Sequence, residues 1–344
     1  MKKVIVAPLY WGLGHASRCV PIIHALKRNH FKPVLASDGE ALYFLQKEFP
    51  ELEVIVLPSY QISYGKNLKW SLAKKLFSIQ KVVRQERKVI NAYVENNSNV
   101  VGIISDNRFG VLSHKVPSVY ITHQLNVLSG FFTPLTSFIH QRIIRKFDEC
   151  WIPDESGSQF SGKLSLTTKK LHQKYIGILS RFKEKQSTEE AGVLIVLSGP
   201  EPNRSELERR MIEVFKHSER SVTLVRGKVE SEQIKRKEGK IQVVNYMLSE
   251  ELESAINSAE LVICRSGYSS VMDLVSLRKK ALLIPTKGQN EQEYLSRYLQ
   301  EKGYFSYVRE KDFSINSVEL ALRYDLKFER KELEEGLFGL FKRK

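Results

Sequence analysis

The residues best suited to chemistry come first in the chain. Trp11-Gly12-Leu13-Gly14-His15-Ala16-Ser17-Arg18 follows the opening apolar run and leads into a helical pattern. Two glycines allow a tight turn and close backbone approach to a ligand. The helix start offers free N–H groups and a positive dipole end to an anion. His15 sits at that tip, and an imidazole there takes a proton from a hydroxyl near neutral pH. The bland alternative is a turn with a solvated histidine. G-x-G is also shorter than the G-x-G-x-x-G dinucleotide fingerprint. Position at the strand-to-helix junction favours the functional reading. A second loop, Ser105-Asp106-Asn107-Arg108, supplies a carboxylate that can orient and polarise His15; the alternative is an ordinary turn or capping aspartate. A third loop, Thr122-His123-Gln124-Leu125-Asn126, carries polar tips for a substrate's hydroxyls or phosphate oxygens. Its alternative is a loop bonded to its own backbone.

The second half of the chain holds three more such loops. In residues 198–205, Ser198, Gly199 and the N–H groups near Ser205 can cradle a diphosphate, with Arg204 adding charge. The plain reading makes Ser205 a helix N-cap closed by Glu208. In residues 264–274, Arg265, Ser266, Gly267, Ser269 and Ser270 lie between a buried apolar run and a helix, again an anion-binding arrangement. Asp273 falls one helical turn in, where a carboxylate can accept both hydroxyls of a ribose or simply complement the dipole. Lys287-Gly288-Gln289-Asn290-Glu291-Gln292 is a further polar loop at a helix start, able to meet sugar hydroxyls.

These loops need a scaffold, and the apolar patterning supplies one. Runs predicting strands at 4–10, 33–37, 52–57, 100–105, 119–122 and 150–152 alternate with helical patterns at 17–28, 40–49, 68–95 and 136–147. A second series places strands at 193–198, 221–226, 241–246, 261–265, 281–284 and 305–308. Its helices are expected at 205–217, 250–259, 270–277 and 291–302. Such alternation implies α/β architecture with parallel sheets. Two series in 344 residues imply two Rossmann-like domains facing across a cleft, with boundaries at 1–176 and 177–344. The polar stretch 180–191 reads as a linker or as loops at a boundary. Ligands in such sheets bind beyond the carboxyl ends of the strands, where all six loops lie.

Composition narrows the class. Hydrophobic residues make up 42% and charged residues 27%, which is ordinary for a globular protein. Three scattered cysteines with no CxxC pair give neither a disulfide framework nor a zinc site, and point to a reducing compartment. No apolar run reaches 18 residues, so a spanning helix is not expected. The basic N-terminus leads into a glycine turn and reads as a strand, not a signal peptide. The net charge of +15 is uneven: residues 1–175 hold 24 basic and 12 acidic residues, a net of +12. That excess suits a nucleic acid, an anionic membrane or a phosphorylated substrate. No nucleic-acid motif appears and the strongest motifs lie in the less basic half, so a nucleic-acid partner is not expected.

Together these loops resemble a GT-B glycosyltransferase, most closely the MurG-type enzymes of glycosyltransferase family 28. The segment VVNYMLSEELESAINSAELVICRSGYSSVMDLVSLRKKALLIPTKGQNEQEYLS is similar to their donor domain nearly end to end. The resemblance implies that the Arg265–Ser270 turn and its helix hold a nucleotide diphosphate. It implies that Asp273, in place of the usual glutamate, takes the ribose, that Tyr246 and Met247 meet the uracil, and that Gln292, beside Gln289 and Glu291, reads the donor sugar. Gly12, Gly14 and His15 resemble the family's glycine-rich loop. His123, Gln124 and Asn126 resemble its His-Glu-Gln-Asn acceptor motif, with the glutamate missing. The 198–202 sequence departs from the family's Gly-Gly-Ser pattern. The implied function is transfer of a hexose or N-acetylhexosamine from a UDP-sugar to a hydroxyl acceptor, lipid-linked or in a cell-envelope glycan. The expected route is inverting displacement, with His15 as base and Asp106 as its partner. No Asp-x-Asp motif occurs, so neither a metal nor another cofactor is expected. Nucleotide-sugar hydrolases of the PseG type share the glycine-histidine loop and donor domain, and are the alternative.

Residues 66–88 hold eight basic residues and one acidic one, with Leu68, Leu72, Leu76 and Ile79 in a helical stripe. Such a helix can rest on an anionic membrane, or pack on the sheet with a solvated lysine face. The resemblance implies a cytoplasmic protein, peripheral on the inner face of the plasma membrane. Gly130-Phe131-Phe132 and the apolar-basic end 337–344 are further candidates for contact. The final helix is also able to return to the first domain.

Overall fold

The computed structural model describes residues 1–60, 69–167, 171–185, 192–324 and 336–342, with backbone alone at 69–77. The apolar runs form two seven-stranded sheets. The first comprises β1 (Lys3–Pro8), β2 (Lys32–Ser37), β3 (Glu53–Val56), β4 (Val100–Asp106), β5 (Ser118–Ile121), β6 (Glu149–Ile152) and β7 (Gln173–Tyr175). Its order is β3-β2-β1-β4-β5-β6-β7, and every pairing is parallel. Four helices connect these strands: α1 (Gly14–Arg28), α2 (Gly39–Glu48), α3 (Lys69–Asn96) and α4 (Thr133–Ile144).

The second sheet comprises β8 (Val193–Val196), β9 (Val222–Val225), β10 (Lys235–Glu238), β11 (Ile241–Val244), β12 (Leu261–Cys264), β13 (Ala281–Leu283) and β14 (Ser306–Tyr307), in the order β10-β11-β9-β8-β12-β13-β14. Its helices are α5 (Asn203–Phe215), α6 (Ser249–Ser258), α7 (Tyr268–Ser276), α8 (Asn290–Glu301) and α9 (Ile315–Leu322); a short α10 (Gly339–Lys342) follows. Central strands such as β4 and β12 are buried along their whole length. Helices cover both faces, so these strands read as continuous apolar runs.

The strand order reverses between β1 and β4 in one sheet and between β8 and β12 in the other. Those crevices are where such sheets bind ligands. They bring His15 beside Asp106, and the 198–204 loop beside the 265–270 loop. Parallel sheets thus explain why six scattered loops share one end of the molecule.

Several elements differ from expectation for physical reasons. Strand β10, Lys-Arg-Lys-Glu, is largely exposed and pairs antiparallel at the sheet edge, where charge hides a strand pattern. Strand β7 is short and half-exposed. The supposed linker is not free over 180–185: Phe182 is buried in the second core, and the N–H groups of Lys183 and Lys185 bond the side chains of Glu253 and Asn257. Residues 186–191 lie outside the described residues. So do the side chains of Leu72 and Leu76 and the whole of Leu68, while Ile79 packs beside Leu9, Tyr60 and Val82.

The chain's last described residues cross back to the first sheet. Leu337, Phe338 and Phe341 are buried there with Phe31 and Trp151, which removes them from any membrane contact. Arg343 and Lys344 lie outside the described residues. A Cβ at Gly102 of β4 would run into the Phe341 ring. Gly102→Ala is therefore expected to destabilise the protein by about 1–3 kcal/mol through overpacking, read as an earlier urea midpoint.

Candidate functional site

Helices α1 and α7 meet start to start. The Ser269 hydroxyl donates to the Gly14 carbonyl at 2.9 Å, and a Cβ on Gly14 would lie 3.1 Å from that hydroxyl oxygen. Neither helix start carries a side-chain cap or an acidic residue in its first turn. Two sets of free N–H groups and two positive dipole ends therefore face one space, an arrangement suited to a polyanion. Gly12 turns the chain into α1 with φ of +85°, a conformation costly for any other residue.

His15 begins α1, and its Nδ1 lies 2.9 Å from Asp106 Oδ1 at the end of β4. Asp106 is fully buried. Burial alone would raise its pKa, but the charges of Arg18 and His15 outweigh it and hold the carboxyl well below the usual carboxylate range. Arg18 lies one helical turn after His15 and grips both Asp106 oxygens, Nε to Oδ2 at 2.5 Å and Nη2 to Oδ1. Arg18 Nη2 also lies 2.9 Å from His15 Nδ1. The Asp106 carboxylate can only accept, so its contact calls for an Nδ1–H; in that tautomer the Arg18 approach to Nδ1 is not a hydrogen bond, and the two groups share Asp106 Oδ1 instead. Nε2 of His15 then carries the lone pair, as a general base requires.

His123, after β5, is occupied on every side. Its Nδ1 lies 3.2 Å from Arg18 Nη1, and its Nε2 lies 2.7 Å from Glu291 Oε1 on α8. Its ring stacks on Tyr268 of α7 at 4.1 Å and 2°, and Tyr268 donates its hydroxyl to the Pro153 carbonyl. Burial, the main cause, lowers the His123 pKa, and Glu291 works against that. Both ring nitrogens of His123, expected at an acceptor, thus have protein partners.

The Asn126 amide donates to the carbonyls of Lys163 and Leu166 at 2.7 and 2.6 Å and so clamps that segment. Arg265 is buried and pairs with Glu310 at 2.7 Å. It also bonds the carbonyls of Ile284, Pro285 and Asn203. Its guanidinium ties these loops together beneath the starts of α5 and α7. Gln124 uses its backbone N–H on the Thr122 hydroxyl.

The other candidates line the same sheet ends. Ser198 and Gly199 are exposed. Arg204 pairs with Glu201 at 2.6 Å and bonds the Gly227 carbonyl; that pairing, above all, holds the Glu201 carboxyl down to about 2. Ser205 does not cap α5, which starts at Asn203. Ser266 donates to the Gln292 carbonyl, and the Gln292 side chain accepts from the Thr286 N–H, so these residues brace one another. Gln289 is the N-cap residue of α8. Gly267 precedes α7 as its N-cap, and Ser270 stands half-buried in its first turn. Tyr246 is buried under Lys47 of α2, and Met247 packs on the second core. Asp273 accepts from the Ser180 hydroxyl at 2.7 Å, and burial raises its pKa to about 6.

Sequence reading overlooked Arg18 and Tyr268 as working parts. A signal for Arg18 was present: a charged residue on the face of α1 that otherwise holds Cys19, Ile22, Ile23 and Leu26, three positions after His15. Tyr268 gave no signal separable from a core aromatic.

Residues 200–336 match the glycosyltransferase family 28 C-terminal domain. The UDP-N-acetylglucosamine--N-acetylmuramyl-(pentapeptide) pyrophosphoryl-undecaprenol N-acetylglucosamine transferase of Alkaliphilus oremlandii is 20% identical, over 88% of this chain and 84% of its own length. Among solved structures, MurG of Acinetobacter baumannii superposes with a TM-score of 0.54 at 16% identity, over 93% of this chain and 90% of its own. The glycotransferase of kitacinnamycin gives 0.62 at 12% identity, over 93% and 89%.

Proposed function

We propose that this chain, a MurG-like GT-B glycosyltransferase carrying a family 28 C-terminal domain, moves a sugar from a UDP-sugar to a hydroxyl acceptor on a lipid-linked or cell-envelope glycan. The observation that carries the reading is the His15–Asp106 pair set against the paired starts of α1 and α7. In this reading the donor diphosphate lies at the N–H groups of Gly267, Ser269 and Ser270, with Ser198, Gly199 and Gly14 around it. Asp273 takes the ribose, Tyr246 and Met247 flank the base, and Gln289, Glu291 and Gln292 face the sugar.

His15 Nε2 removes the acceptor hydroxyl proton as that oxygen attacks the anomeric carbon. The bond to the diphosphate breaks, and UDP leaves with the electron pair. Preorganised N–H groups and helix dipoles meet the developing charge, with no metal needed in this scheme. Attack opposite the leaving group inverts the anomeric centre. Thermal-shift screening with UDP, GDP, dTDP, CMP and their sugars tests the donor. UDP and its sugars are expected to stabilise most, and stabilisation by another nucleotide alone would overturn the base assignment. The anomeric configuration of the product, read by proton NMR, tests inversion.

Asp273 gives a pH prediction. Its folded pKa of about 6 lies above the ordinary aspartate value of about 4, so its contribution to stability is full below about pH 4 and is lost as pH rises through about 6. Asp273→Asn is expected to raise the melting temperature at pH 7 and to weaken UDP binding, measured by scanning calorimetry and titration.

The reading also includes peripheral binding to an anionic membrane on the cytoplasmic side. No described helix is long and apolar enough to cross one. Phe131 is 94% exposed, and Phe132, Leu135, Phe138 and Ile139 beside it are exposed as well. So large an apolar patch on a basic lobe suits a membrane interface. Replacing Phe131 and Phe132 by serine is expected to lower co-sedimentation with phosphatidylglycerol vesicles several-fold while turnover on a short-chain soluble acceptor is kept.

A further inference from the structure

We propose that His123 and Arg18 are positioning residues, forming with Glu291 a hydrogen-bonded relay across the two lobes that fixes Asp106 and, through it, the tautomer and direction of His15. The inference rests on the reading of His15 as base and deepens it. Its geometry is continuous. Glu291 Oε1 lies 2.7 Å from His123 Nε2, His123 Nδ1 lies 3.2 Å from Arg18 Nη1, and Arg18 holds both oxygens of Asp106. Asp106 in turn lies 2.9 Å from His15.

Fixed donors and acceptors set the proton positions from Glu291 to Asp106. Arg18 can only donate and the Glu291 carboxylate can only accept, so His123 accepts at Nδ1 and donates from Nε2. A neutral His123 is what burial against Tyr268 favours. Arg18 then spends its remaining donors on Asp106, whose Oδ1 receives the His15 Nδ1–H. The fork of a guanidinium suits this: a planar group with fixed donors addresses two partners at once.

The relay is built from both halves of the molecule. His15, Arg18, Asp106 and His123 come from α1 and the ends of β4 and β5. Glu291 and the Tyr268 ring that fixes the plane of His123 come from α8 and α7. The lobes must be together for the chain to be complete. Closure that assembles a site in this way keeps the base poorly oriented until the donor-side lobe is in place.

The test is His123→Phe, which keeps a ring on Tyr268 and removes both polar links. The relay predicts that kcat falls about 10- to 100-fold, as expected for misorientation of a reacting group, while donor and acceptor KM stay within about twofold. It also predicts that the same substitution in a His15→Ala background costs less than about twofold, measured with radiolabelled donor, because both act through one group. An acceptor KM raised with kcat kept would overturn the relay in favour of direct acceptor contact. Unchanged kcat, or the full cost persisting without His15, would overturn it too. If His15→Ala alone leaves turnover intact, the base reading fails and the relay with it, a result distinct from those three. Should His123→Phe not fold, Arg18→Lys keeps the charge beside Asp106 but lacks the fork, and the same pattern is expected.

Discussion

Alanine in place of His15 is expected to leave nucleotide affinity within about twofold and to lower kcat by about 10²- to 10⁴-fold, the range for loss of a positioned general base. The separation follows from where the groups lie. In the proposed reading the diphosphate meets backbone N–H groups at the starts of α1 and α7, which the imidazole does not supply. His15 is partly exposed at a helix tip, so its loss leaves no cavity in a core. Isothermal titration with UDP and steady-state turnover with saturating acceptor check the two halves. Turnover within threefold of the parent would remove His15 as the base.

Alanine in place of Asp106 has two expected consequences. Arg18 would remain buried without its counter-charge, and breaking a buried pair in this way costs about 3–5 kcal/mol. His15 would lose the acceptor that selects its tautomer, so turnover should fall at least as far as with His15→Ala. The stability loss carries a pH signature. Asp106 has a folded pKa far below its unfolded value, so its stabilisation is complete above about pH 4 and is lost as pH falls through the folded value. The gap in unfolding free energy between parent and variant should therefore be flat from about pH 5 to 8 and narrow in acid. Urea titrations at several pH values measure it; a gap of under 1 kcal/mol at pH 7 would show that Asp106 is not the anchor of this network.

The fold was readable wherever burial on both faces imposes a continuous apolar run. The twelve strands anticipated are the ten interior ones and the edge strands β3 and β14, and their ends shift by only one or two residues. The other two edges, β7 and β10, were not readable. β10 is almost wholly charged because one side meets water, and β7 is three residues long. The C-terminal return to Gly102 is a long-range packing event between Phe341 and a glycine that sequence presents only as a gap in a strand.

The site was readable as loops and not as partnerships. That the loops of His15, Asp106 and Ser269 come together was legible because sheet topology dictates where loops converge. The fates of His123, Asn126 and Arg265 depended on neighbours more than 30 residues away in sequence, Glu291, Lys163 and Glu310 among them. A polar side chain in a loop looks the same whether it meets a substrate or a distant backbone carbonyl. That is why the protein partners of His123, Asn126 and Arg265 were not legible in the sequence.

The most direct test of the whole account is a crystal structure with a non-hydrolysable UDP-sugar. The account predicts phosphate oxygens within hydrogen-bond distance of the Ser269 and Ser270 N–H groups, with the anomeric carbon on the His15 side of the diphosphate. A nucleotide bound away from the junction of α1 and α7, or a sugar turned from position 15, would contradict it.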